Sequence, residues 1–83
     1  MNNAYVRGRA FNLALLATTH AQAGEVDEAC TVGTEAVELV NGLQSVRAHE
    51  YIRVLRRELV PYETAPSVVA FDQAASAILA KAS

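Results

Sequence analysis

Three interruptions govern what this 83-residue chain can fold into, because the stretches between them are permissive for helix and for little else. The first is Gly24, a helix-ending glycine followed by the acidic start Glu25, Asp27 and Glu28. The second is Asn41-Gly42, two residues that tolerate the left-handed conformation in which helices stop. The third is the stretch 61–66, where Pro61 and Pro66 bracket Tyr62, Glu63, Thr64 and Ala65 and forbid a continuous helix. Four segments of helical length remain, 4–23, 26–41, 45–60 and 67–81.

Each segment carries a helical period. Ala10, Leu13, Leu16-Ala17 and His20-Ala21 recur at three and four residues in the first. Ala29, Val32-Gly33, Ala36-Val37 and Val40 do so in the second, and Ala48, Ile52, Leu55 and Leu59 in the third. The fourth repeats the pattern with Val68, Phe71, Ala74-Ala75 and Ile78-Leu79. Ser45 and Ser67 stand where N-caps belong. Sixteen alanines against four glycines and two prolines favour helix further. The expected fold is all-α, with short connections that make two antiparallel helix hairpins in one domain, 1–83. Alanine dominates the first two stripes, so that pair should be thin, and a small alanine-rich bundle has little stability in reserve.

Composition narrows the function classes. With 52% hydrophobic and 19% charged residues the chain is not of the disordered class. A net charge of −2 gives no reason to expect non-specific nucleic-acid binding. A single cysteine excludes an internal disulfide framework. No apolar run approaches the ~20 residues of a membrane span, and the opening residues lack the basic-then-apolar order of a secretory signal. The expectation is a cytoplasmic helical protein with no membrane partner.

Residues 10–43 resemble a tetratricopeptide repeat, a helix–turn–helix unit of solenoid proteins. The likeness rests on Leu13, Leu16-Ala17, His20, Gly24, Ala29, Ala36-Val37 and Leu39, and most specifically on Gly24-Glu25-Val26-Asp27-Glu28-Ala29. A glycine turns the chain, and small residues at Ala17, Ala29 and Ala36 sit where the helices cross. Leu13 stands where such repeats have tryptophan, His20 where they have tyrosine, Gly33 where they have a large side chain and Asn41 where they have proline. The hairpin 4–43 is thus read as the repeat, and 45–81 as a degenerate repeat or a terminal cap.

The whole string is also similar to the C-terminal part of a group of actinobacterial helix-turn-helix transcriptional regulators, in which such hairpins follow a DNA-binding domain of the lambda-repressor type. The residues behind this are 15–24, Ser45-Val46-Arg47, Leu55-Arg56-Arg57-Glu58-Leu59, Pro61-Tyr62 and 66–72. The chain carries no recognition helix and no basic patch of the DNA-reading kind, so direct DNA binding is not carried over. The resemblance implies a sensing, docking or dimerising module.

By the repeat register, Phe11, Ala14, Leu15, Thr18 and Gln22 face the concave surface on which such arrays bind partners. None is lysine or asparagine, so a clamp for a peptide carboxylate is not expected. The face is mostly apolar and suits a hydrophobic peptide, a partner helix or a second copy of the chain. The structural alternative is that Phe11 and Leu15 pack on an upstream repeat, or on Tyr5 and Val6. Arg53, Arg56 and Arg57 form a second candidate, an anion or acidic-partner patch, unless they are a solvated face helped by Glu50–Arg53 pairing. The acidic second segment and basic third segment could attract each other, although exposed pairs of this kind contribute only about 0–1 kcal/mol each.

Nothing points to an enzyme or to a cofactor. Cys30 follows Ala29 near a helix crossing and reads as a small buried hydrophobe. His20 lies on the packed face, and His49 near the solvent side of its stripe. Glu35 and Glu38 lack the histidine of a di-metal Glu-x-x-His pattern, and there is no phosphate-binding glycine loop. The function expected is a non-enzymatic interaction and dimerisation module; the alternative is a structural cap within a larger assembly.

Overall fold

A computed structural model describes residues 3–43 and 45–81; positions 1, 2, 44, 82 and 83 of the expected domain lie outside the described residues. Four α-helices follow in order: α1 (Asn3–Gln22), α2 (Val26–Val40), α3 (Val46–Leu59) and α4 (Pro66–Lys81), with a 3-10 turn at Val60–Tyr62. There is no strand among the described residues. The all-α class and the four helices are as the breaks predict.

The Gly24 break works through its backbone. Gly24 adopts φ +80°, the one positive φ among the described residues. Its N–H donates to the Ala21 carbonyl (3.1 Å) and the next N–H, of Glu25, donates to the His20 carbonyl (2.9 Å). This double closure is the Schellman stop that a glycine permits. The second break works differently from expectation. Asn41 stays right-handed (φ −56°), and α2 ends by tightening, with Gly42 N–H on the Leu39 carbonyl (3.4 Å) and Leu43 N–H on the Val40 carbonyl (2.8 Å). At the third break Pro61 sits in the 3-10 turn, and Pro66 opens α4 at a position whose N–H has no helical partner.

Ser45 caps α3 as predicted, its Oγ accepting from the Ala48 N–H at 3.2 Å. Ser67 does not cap α4. The helix already begins at Pro66, so the Ser67 hydroxyl is free to donate to Asp27 Oδ1 of α2 at 2.9 Å.

Two cross-links fix the direction of α4. Its first turn meets the first turn of α2 through Ser67–Asp27, and its last residue, Lys81, donates to Asn41 Oδ1 at the end of α2 (3.4 Å). The two helices therefore run parallel. The same logic holds for α1 and α3, where Phe11 meets Tyr51 and Gln22 meets Glu58 in the same order along both helices. Sequential helices are antiparallel, alternate helices parallel. α3 packs more closely on α1, and α4 on α2, than α3 and α4 pack on each other.

The layers are held by side chains of two sizes. Ala10, Ala14, Ala17 and Ala21 of α1 and Ala29 and Ala36 of α2 are all buried, bringing those backbones close and keeping the body thin, 35 × 23 × 16 Å. Ile52, Leu55, Leu59, Val68 and Phe71 then supply the bulk beneath α3 and α4. The stripe of α3 is buried in full as predicted. In α1 the buried face is centred one position away from the expected one: Ala14 and Thr18 are inside and Leu16 is exposed. Apolar residues surround α1 on every side, so its period alone did not select the face.

No described helix is long and apolar enough to cross a membrane.

Candidate functional site

Of the five residues expected on the binding face of α1, two are buried, two meet side chains of α3 and one stays outside. Ala14 is buried, and so is Thr18, whose hydroxyl donates to the Ala14 carbonyl at 2.8 Å. Both are enclosed by the chain's own packing and leave no surface for a partner. Phe11 packs on Tyr51 of α3, ring centroids 4.5 Å apart and tilted by 44°, rather than on Tyr5. Gln22 donates to Glu58 of α3 at 3.4 Å. Leu15 remains outside, 55% exposed.

What stays open on α1 is the opposite side. Tyr5 (66% exposed), Leu16 (47%) and Leu15 lie there, with Gly8, Asn12 and Thr19 between them. A shallow depression of about 360 Å³ runs along its first half, lined by Tyr5, Gly8, Arg9 and Asn12. Gly8 leaves it open, since a β-carbon there would meet nothing within 4 Å. Leu16, expected on the packed stripe, is a surface residue, as is Tyr5; the sequence signal for both is the excess of apolar positions over what one buried face can hold.

The arginines of α3 are engaged unequally. Arg56 Nε donates to Asp72 Oδ1 of α4 at 2.7 Å, and Arg53 reaches Glu50 at 3.4 Å, the spacing-three pair expected from the sequence. Arg57 takes part in none of the ion pairs of the described residues. The anticipated attraction between α2 and α3 is not realised in any described ion pair: the inter-helix partner of α3's arginines is Asp72, because α4 and not the outer face of α2 lies beside them.

Each remaining chemically versatile side chain is tied to the scaffold. His20 Nδ1 lies 2.7 Å from Glu25 Oε1 across the Gly24 turn, so a side-chain bridge doubles the backbone closure between the same two residues. His49 is buried rather than near solvent, because its Nδ1 turns back to the Ser45 carbonyl at 2.6 Å. Cys30 is buried, and burial pushes its thiol up; the Asp27 carboxylate adds to this and a hydrogen bond with Ser67 opposes it. A thiol held protonated is a poor nucleophile. Among the described residues no group of three or more His, Cys, Asp or Glu is placed to hold a metal ion.

Comparison with protein-family models, with curated proteins and with solved structures finds no match to this chain.

Proposed function

We propose that the chain is a non-enzymatic protein-interaction and dimerisation module that works through the open face of α1. The observation that carries this reading is the concentration of exposed apolar side chains on one helix: Tyr5, Leu15 and Leu16 lie on α1, and Phe11 at its α3 border is 38% exposed. Soluble monomers tend not to leave such a surface uncovered. The parallel pairing of α1 with α3 and of α2 with α4 supports kinship with tetratricopeptide-like stacks, in which one hairpin lies on the next. On that reading the chain is the repeat portion, or a stand-alone relative, of a transcriptional regulator. The lone buried thiol of Cys30 fits a reducing, cytoplasmic setting. The tethering of His20, His49 and Cys30 supports a scaffold role over a catalytic one.

Sedimentation equilibrium over a wide concentration range tests the reading. The parent chain is expected to gain mass with concentration, and the Leu15→Ser/Leu16→Ser double variant to stay monomeric with unchanged helix content. A parent that remains a monomer throughout contradicts self-association by this face.

A further inference from the structure

The downstream side of the molecule holds a second surface, which stands independently of the α1 face. α3 and α4 are joined through the 3-10 turn and each packs mainly on the first hairpin, so their outer sides are splayed. Between them runs a groove of about 830 Å³. Its floor is Leu59, Val68 and Phe71, all buried, and its apolar lips are Val60 (58% exposed) and Val69 (45% exposed). Arg53, Arg56 and Arg57 line the α3 wall.

We propose that this groove receives an amphipathic helix of another protein, its apolar edge between Val60 and Val69 and its acidic residues against Arg53 and Arg57. The charge distribution makes the choice. Glu63 and Asp72 also line the groove; Asp72 is neutralised by Arg56 at 2.7 Å, which leaves Glu63 as the one lining acid outside the described ion pairs. Arg53 has only a long, exposed contact with Glu50, and Arg57 is outside every described ion pair. The rim thus carries Arg57, outside the described ion pairs, and Arg53, held only loosely by Glu50, against the one remaining acid, Glu63, and guanidinium is the cation best shaped for a carboxylate.

The chain's own helices are poorly matched to this position. The open face of α1 is apolar, but α1 carries Arg7 and Arg9 and no acidic residue, so a second copy would bring like charges together. α2 has the acids Asp27, Glu28, Glu35 and Glu38, but its apolar stripe of Ala29, Gly33, Ala36, Val37 and Val40 is buried within its own fold. An external helix with leucines on one edge and glutamates beside them satisfies both requirements. Three to four turns, about 20 Å, match the length of α3.

The test uses the full chain and two fluorescein-labelled synthetic peptides with the same leucine stripe, one flanked by glutamates and one by lysines, titrated by fluorescence anisotropy. The glutamate peptide is expected to bind about tenfold more tightly than the lysine peptide at low salt, as two or three exposed charge pairs allow. That preference should shrink as salt rises. Arg53→Glu/Arg57→Glu, at exposed positions and checked for helix content by circular dichroism, should reverse it, and the milder Arg53→Gln/Arg57→Gln should abolish it. Leu15→Ser/Leu16→Ser should leave it intact. Equal binding of the two peptides, binding of neither, loss of binding in the leucine variant instead of the arginine variants, or a parent self-association that the arginine variants abolish would each overturn the proposal.

Discussion

The ring of Phe71 occupies the space that a side chain at position 33 would need. A β-carbon built on Gly33 comes within 2.9 Å of Phe71 Cε1 and within 2.8 Å of Leu55 Cδ2, and both neighbours are buried. The glycine that breaks the repeat-like pattern of α2 is thus complemented from α4, which fills from outside the volume that α2 leaves empty.

Gly33→Ala is therefore expected to destabilise the protein even though alanine is the better helix former. Overpacking between two buried side chains costs about 1–3 kcal/mol against a propensity gain of about 1 kcal/mol. A net loss of about 1 kcal/mol in urea unfolding is the expected result. Gly8→Ala is the control: it lies at an exposed position of α1 with nothing within 4 Å of the new carbon, and should gain about 0.5–1 kcal/mol. Equal effects at the two positions would contradict the packing described.

The entry into α3 rests on Ser45, whose Oγ takes the Ala48 N–H and whose backbone carbonyl meets His49 Nδ1. Ser45→Ala removes the first and leaves the second, at a cost of about 1 kcal/mol. Thermal unfolding measured by circular dichroism checks it, and no change in midpoint would exclude a capping role.

Cys30 sets a pH dependence. Its thiol is raised in the folded protein, chiefly by burial, while in the unfolded chain it titrates near the usual ~8.5. Below that value both states are protonated and the residue adds no slope. Above it the unfolded state loses the proton first, so the folded state binds more protons and stability falls as pH rises between the two pKa values. Urea midpoints from pH 7 to 10 should therefore decline more steeply for the parent than for Cys30→Ala, which removes the titrating thiol and whose small cavity lowers stability equally at every pH. Parallel curves would count against the assignment.

Much of the fold was legible because its determinants are local. Gly24 ends α1 by its own conformation, Ser45 caps its own helix, and Ala48, Ile52, Leu55 and Leu59 are spaced to share one face. What escaped depends on residues distant in sequence. Ala14 and Leu16 are equally plausible core positions in a helix apolar on all sides, and only the placement of α3 decides between them. Arg56 finds Asp72 and Ser67 finds Asp27 because alternate helices run parallel, which no single-helix pattern encodes. His49 is buried by a bond to a carbonyl four residues back, a rotamer choice rather than a spacing. On the candidate face set by the repeat register, Ala14 and Thr18 are buried and Leu15 is exposed, whereas the exposure of Tyr5 and Leu16 follows only when the burial of their neighbours is known.

Self-association through the open face of α1 is read residue by residue from amide and methyl NMR spectra recorded on dilution. Shifts that change with concentration are expected at Tyr5, Leu15, Leu16 and Thr19, with Ala17, Ala36 and Ile52 unmoved. Spectra identical at all concentrations, or changes confined to α2 and α4, would contradict it.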